Sequence, residues 1–346
     1  MYKVCVRCFT YNHASYIVDA MNGFTMQQTD FPFVVAIVDD ASTDNAPQVI
    51  RDYFEKNFDT EEPSIAFQEE VEYGKVLFAR HNTNKNCFFA IVLLKQNHYQ
   101  QKKSKRPYLS RWAENAEFLA FCEGDDYWTN SSKLQKQVAF LDDNPQYIIC
   151  SHNFIRFHQD SRSFENKTYY SNLFPEDTTF DRIEYSLDNY FDRWWTQPLT
   201  CVYRNGDYIK RMPFSSYQYF KDDIFYYYVL KEGKGVLFRD SMGVYRVHDG
   251  GVWSGTSKIQ HTQRAIYNAF NTFFVEGDDR AFNRINREEL SLLKALFNQR
   301  SYGEVIKQLY DFRKKAPKNH FRCVRKGFEN YVWGKTKRKI HKIIKF

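Results

Sequence analysis

The stretch "FLAFCEGDDYW", residues 118–128, decides how the chain is read. An apolar run of strand character ends in Glu123, Asp125 and Asp126, and aromatics follow at once. Like charges this close repel, so a buried strand ending in three carboxylates asks for a counter-charge. Oxygen ligands suit hard divalent ions such as Mg²⁺ or Mn²⁺. Mg²⁺ usually takes one or two carboxylates and completes its shell with phosphate oxygens, so a nucleoside diphosphate is the natural companion. An isolated D-D pair would read as a solvated turn with Asp126 capping the next helix. The E-x-D-D cluster at a buried strand end favours the ion, with Asp126 still open as a cap.

Other strand ends point the same way. "YKVCVRCF" (2–9) and "FVVAIVDD" (33–40) are short, near-continuous apolar runs, as strands buried on both faces are. The first is followed by Thr10-Tyr11-Asn12 and the second ends in Asp39-Asp40. Ile17, Ala20, Met21 and Phe24 recur at helical spacing between them, predicting a helix over about 15–28. A second helical face follows at Val49, Ile50, Tyr53 and Phe54, with Ser42, Thr43 and Asp44 before it as caps. A strand is expected near 64–68, another over 117–126, a helix carrying Leu134, Val138 and Leu141, and a strand over 147–154. This β-α-β-α order predicts a mostly parallel, Rossmann-like α/β sheet flanked by helices. Ligands of such sheets bind beyond the carboxyl ends of the strands, where these polar groups would converge. Asp39 could accept hydrogen bonds from a base or ribose, and Tyr11 either stacks on a base or is an ordinary rim aromatic.

The second half is less regular. "KDDIFYYYVLKEGKG" (221–235) opens a helix with Asp222-Asp223, and "VLFRDSMGVYRVHDGGVW" (236–253) reads as a strand pair before a glycine-rich turn. From about 258 the pattern is helical. The basic stretch 95–112 reads chiefly as a solvated insertion, with anion binding as the alternative.

The chain has 346 residues, enough for one large domain or two, and a net charge of +7 that suits anionic partners. Its seven cysteines are scattered and odd in number, as in a reduced, cytoplasmic setting. Cys5 and Cys8 would point to opposite faces of a strand, so they read as core rather than zinc ligands. No signal peptide is expected, and no apolar run approaches the ~20 residues of a membrane helix.

Five segments together resemble glycosyltransferase family 2, the inverting nucleotide-sugar transferases of GT-A fold. They are "FTYNHASYI" (9–17), "AIVDDASTDN" (36–45), "CEGDDYWTNSSKLQKQ" (122–137), "KDDIFYYYVLKEGKG" (221–235) and "YRVHDGGVW" (245–253). The resemblance implies a transferase domain over 1–255, with a nucleotide-binding part to about 126 and an acceptor part over 127–255. A helical, basic region would follow over 256–346. Thr10, Tyr11, Asn12, Asp39 and Asp40 would hold a nucleotide-sugar donor, of UDP type. Asp125, with Glu123 and His248, would hold Mn²⁺ or Mg²⁺, although Glu123 stands where the family has Asp. Asp223 would be the general base, with Asp222 and Trp253 towards the acceptor; a packed aromatic is the plainer reading of Trp253, and helix capping that of one member of the Asp pair. A structural hydrogen bond is the plainer reading of His248. The acceptor would be a glycan or a lipid-linked sugar in bacterial surface-polysaccharide synthesis, and no nucleic-acid partner is expected.

Residues 311–346 hold 13 Lys/Arg against 2 Asp/Glu, with Trp333 and three isoleucines among them. That mix suits either a solvated terminal helix or an arm lying on an anionic membrane, which would place the protein on the inner face of the cell membrane. Two rival readings use the same carboxylates: a non-catalytic nucleotide- or carbohydrate-binding protein of this fold, and a metal-dependent nucleotidyltransferase. The second would need a glycine-rich basic loop after the first strand, where "TYNHAS" stands.

Overall fold

The computed structural model describes residues 1–174, 179–217, 220–251 and 257–344, with side chains as far as 335. The chain divides into two compact units. The first comprises 1–187, 195–212 and 225–248; the second comprises 188–194, 213–224 and 249–346.

The first unit is built on one large sheet. Four parallel strands form its centre, in the order Phe118–Phe121, Val4–Thr10, Phe33–Asp39 and Cys87–Leu94. Every residue of Phe33–Asp39 is buried, because this strand has a neighbour on each side and is covered on both faces. The expectation of a mostly parallel sheet therefore holds at the centre, while the sheet as a whole is mixed. Gly74–His81 pairs antiparallel with Cys87–Leu94, and Val202–Arg204 enters antiparallel between Phe118–Phe121 and Tyr147–His158. Hairpin-length connections such as the one between His81 and Cys87 can only join antiparallel strands.

Three sequence expectations are corrected. The strand expected over 117–126 ends at Phe121, so the carboxylates sit in the turn beyond it. Residues 236–253 do not form a strand pair. One long strand, Lys234–Val247, runs parallel to Tyr147–His158 with register shifts near Phe238 and Ser241. Bulges of this kind bend a strand and re-aim its side chains without a turn, which the sequence pattern cannot distinguish from a hairpin. The strand expected near 64–68 is Phe67–Val71, hairpinned to Gly74–His81. Helices Ile17–Thr25, Ala46–Asn57 and Lys133–Asp143 carry the expected apolar faces.

The second unit is helical, with long helices over Lys258–Glu276, Ala281–Asn298, Tyr302–Lys315 and Lys318–Ile344. Ser257 and Gln260 form a reciprocal capping box at the start of the first, and Gly277 ends it at φ 67°, a left-handed position that favours glycine. Phe270 packs edge-on against Phe282 and Phe312, tying three helices together. No helix among the described residues is long and apolar enough to cross a membrane. Six of the seven cysteines are buried, all in the first unit, and none is in a disulfide.

Candidate active site

The candidate site of the first unit lies where the central parallel strands end. Thr10 and Asp39 are register partners on adjacent strands, and the turn that follows Phe118–Phe121 is anchored by the Gly124 N–H, which donates to the Phe9 carbonyl at 3.0 Å. Glycine is required at 124 by this close approach. A Cβ there would stand 2.6 Å from Thr10 Oγ1 and 2.9 Å from Ile17 Cδ1.

The loops after the first two strands are knitted together. Asn12 Oδ1 accepts from the backbone N–H groups of Thr43 and Asp44, and the Asn12 N–H donates to Ser42 Oγ. Asp44 accepts from Ala14 N–H and from Ala46 N–H, so it holds the start of the second helix, as read from sequence, and braces the first loop too. Asn12 and Ala41 both sit at φ 57°, a left-handed conformation that Asn tolerates and that costs Ala about 1–2 kcal/mol. Strain of this kind persists where surrounding bonds over-determine it.

Two expected nucleotide contacts face inward. Asp39 is buried, and its carboxylate accepts from Ser42 N–H at 3.0 Å and Ser42 O–H at 2.5 Å. Burial pushes its carboxyl above the usual range, against the pull of those two bonds. Asp40 accepts from the backbone N–H groups of His98 and Tyr99 and pairs with Lys105 at 2.8 Å. Its carboxylate thus fastens the segment after Cys87–Leu94 to the strand end. The same contact corrects the picture of 95–112 as a plain solvated insertion. Of the other expected ligands at this end, Thr10 is buried, Tyr11 is half-buried, and Asn12 is exposed with its side-chain oxygen engaged by Thr43 and Asp44.

The adjacent carboxylates of the "EGDD" turn have different surroundings. Asp126 is buried and accepts from the Arg246 N–H at 2.9 Å, fixing the turn to the long strand Lys234–Val247. It caps no helix, since the next helix begins at Lys133 with Ser132 before it. Burial, reinforced by the Asp125 charge, pushes its carboxyl well up. Asp125 Oδ2 lies 3.1 Å from His248 Nε2 and 3.7 Å from His13 Nε2. Burial pushes the Asp125 carboxyl up, but the His248 hydrogen bond and the charges of both histidines outweigh it and hold the group below its usual range. Burial lowers the His13 imidazole, which favours the neutral ring that a metal needs. Glu123 is exposed.

Sequence reasoning passed over two residues here. His13 follows Asn12 and was hidden because its partners lie more than a hundred positions away. Arg246, in "YRVHDGG", is buried and holds the site together. Its Nε donates to the Asp125 carbonyl at 2.9 Å, Nη1 to Gln159 and Nη2 to Asp19, each at 2.6 Å, and its guanidinium stands over the Tyr16 and Tyr127 rings. An arginine two residues before a candidate ligand histidine was the available signal.

Among the described residues, two sets of side chains have ligand atoms close enough to hold a divalent ion: His13, Asp125 and His248, and Glu123, Asp125 and Asp126. Thr10 Oγ1, His13 Nδ1 and Asp125 Oδ1 are buried without a hydrogen-bond partner among the described residues. Buried polar atoms are usually satisfied, and three of the eleven exceptions among the described residues belong to these strand-end segments.

The second unit holds Asp222 and Asp223. Asp223 is buried and fully engaged. Oδ1 accepts from its own helix at Ile224 N–H, Oδ2 pairs with Arg284 at 3.0 Å, and Asn268 Nδ2 donates to both oxygens at 3.2 Å. Asp222 is exposed at the start of the same helix. Trp253 lies outside the described residues.

No family model matches the chain. Uncharacterized proteins of Mycobacterium bovis and Mycobacterium tuberculosis are each 29% identical over 249 residues, which cover 70% of this chain and 58% of theirs. The aligned region thus spans little more than half the length of these curated relatives. Among solved structures, S. aureus TarS 1–349 in complex with UDP-GlcNAc superposes with a TM-score of 0.55 at 17% identity, over 96% of this chain and 92% of that one. The same protein in complex with UDP gives 0.53 at 18% identity, over the same shares. At this identity the likeness establishes the fold: a glycosyltransferase-type α/β sheet flanked by helices, with helices at the C-terminal end.

Proposed function

We propose that the protein is an inverting glycosyltransferase that moves a sugar from a nucleotide-sugar donor, of UDP type, to a hydroxyl of a glycan or lipid-linked acceptor. The observation that carries the reading is the trio of buried, unpartnered polar atoms at one sheet end, Thr10 Oγ1, His13 Nδ1 and Asp125 Oδ1. They stand where α/β sheets bind ligands, and the TarS fold likeness is of the same kind.

The donor set fits a divalent metal, Mn²⁺ or Mg²⁺, with Asp125 and His248 as the central pair and Glu123 beside them. When bound, such an ion neutralises the charge of a departing diphosphate. The chain's own groups do the rest. Thr10, Tyr11 and Asn12 line the donor end. Asp223 takes the proton of the acceptor hydroxyl, and Arg284 and Asn268 hold its carboxylate in one orientation. Asp222 and Trp253 are assigned to the acceptor.

The pathway proposed is synthesis of a bacterial surface polysaccharide at the inner face of the cell membrane. Helix Tyr302–Lys315 supports attachment to an anionic lipid surface. Tyr302, Ile306 and Tyr310 recur on one exposed face, with Lys307, Arg313 and Lys314 beside them, and Lys314 Nζ stands 4.2 Å over the Tyr310 ring. Co-sedimentation with vesicles containing phosphatidylglycerol, against phosphatidylcholine alone, tests that attachment.

Donor turnover across a panel of nucleotide sugars with Mn²⁺ or Mg²⁺ tests the activity. Transfer by Asp223→Asn at the parental rate removes the base assignment. Tight UDP binding with no turnover on any acceptor favours a binding protein instead.

A further inference from the structure

The resemblance to a known family sets Glu123 beside Asp125 and His248 as the third ligand. The structure points to a different partner. We infer that His13 completes the metal site, so that the ion is held by two imidazoles and one carboxylate (His13, His248 and Asp125), and that this mixed set selects Mn²⁺ and later first-row ions over Mg²⁺. The inference rests on the metal-dependent reading above and deepens it.

Geometry supports the set. Bonds of about 2.0–2.2 Å at 90–110° place neighbouring ligand atoms about 3.0–3.6 Å apart. Asp125 Oδ2 is 3.1 Å from His248 Nε2 and 3.7 Å from His13 Nε2, and all three ligand atoms lie within 4.8 Å of one another. An ion can enter with a small adjustment, replacing any proton that Nε2 of either ring shares with Asp125. The His13 and His248 rings meet edge-on at 6.0 Å, and Tyr16 packs against the His248 ring at 4.8 Å, so both imidazoles are held in place.

The competing set is weaker. Asp126 is buried with Oδ1 engaged by the Arg246 N–H, and it belongs to the architecture of the turn. Glu123 is exposed, although its carboxylate comes within 4.8 Å of Asp125 and Asp126. Asp125 is shared by both sets, but only the histidine set offers it two further donors that are both largely buried. Imidazole nitrogen is a softer donor than carboxylate or water, and Mg²⁺ favours oxygen.

The test is Mn²⁺ binding by the full chain, with and without UDP, followed by loss of the free-ion EPR signal and by pulsed EPR for nitrogen couplings. The parent is expected to show two imidazole couplings and Mn²⁺ bound at least about tenfold more tightly than Mg²⁺. His13→Gln should leave one imidazole coupling and weaken Mn²⁺ by at least about tenfold, since even outer-shell changes cost that much. His13→Asp restores a third ligand as oxygen and should close the gap between Mn²⁺ and Mg²⁺. Circular dichroism melts of both variants control for folding. Unchanged Mn²⁺ affinity and two imidazole couplings in His13→Gln overturn the inference. So does a parent that binds Mg²⁺ as tightly as Mn²⁺. If Asp125→Asn abolishes Mn²⁺ binding while His13→Gln leaves its affinity unchanged, only this inference fails. If the parent binds no Mn²⁺ under either condition, the metal-dependent reading fails with it.

Discussion

Asp125 and Asp223 are both buried or nearly so, both come from acidic pairs, and both carry the proposed chemistry, yet their surroundings are opposite. Asp125 faces two imidazoles and leaves Oδ1 without a partner among the described residues. Asp223 has its oxygens occupied by Arg284, Asn268 and the Ile224 N–H in the first turn of its own helix. A carboxylate with unmet hydrogen-bonding capacity is poised for a ligand, because an unsatisfied buried acceptor costs about 1–3 kcal/mol until something meets it. A carboxylate already paired is pre-organised: its orientation is set before any substrate arrives. In the first unit Asp125 keeps an unmet acceptor for the proposed ion. In the second the site is closed around a single acid.

The sharpest way to break this contrast is to neutralise each acid in turn. Asp223→Asn should lower sugar transfer by about 10²–10⁴-fold, the usual range for losing a general base, while leaving Mn²⁺ binding intact. Steady-state transfer and Mn²⁺ titration on the same preparation check both halves. Asp125→Asn should lower transfer by about 10²–10³-fold and remove Mn²⁺ binding as well. If the two variants lose the same properties, the division of labour is wrong.

A third buried carboxylate sharpens the comparison by having no proposed chemistry. Glu289 lies inside the helical unit, accepts two hydrogen bonds from Gln308, and is pushed by burial up to about 7. The unfolded chain releases this proton near 4.5 and the folded chain only near 7, so folding stability falls as pH rises through that window. Glu289→Gln removes the penalty. Its unfolding free energy in chemical denaturation should exceed the parent's at pH 8, by on the order of 3 kcal/mol at most, and match it below pH 4.5. An equal gain at all pH values would show that packing, and not charge, is responsible.

The smallest effect is expected at the turn that presents Asp125. Gly124→Ala forces a Cβ against Thr10 and Ile17. It should cost about 1–3 kcal/mol in chemical denaturation and weaken Mn²⁺ binding without removing it. A variant with unaltered Mn²⁺ affinity would mean that the turn's position matters less to the ion than its side chains do.

The fold centre was legible because its signals are local. Near-continuous apolar runs at 2–9 and 33–40, and helical spacing at Ile17, Ala20, Met21 and Phe24, predicted strands and a helix that the structure contains. Glu123, Asp125 and Asp126 stood out because three charges crowd one strand end. Their sequence alone could not rank them, since what separates Asp125 from Asp126 is the reach of His248 and Arg246 from a strand 120 positions later. The bend in Lys234–Val247 was missed because a bulge leaves no composition mark that differs from a turn.

Sequence by itself determined which residue types stand at the ends of the central strands and that the C-terminal quarter is helical and basic. It could do so because period and composition are properties of neighbours along the chain. Only the tertiary structure decided which acid is free to bind, which is locked, and which histidine stands beside Asp125. Those outcomes depend on distances between residues far apart in sequence, and hydrogen bonding and charge act over a few ångströms of space, whatever the separation along the chain.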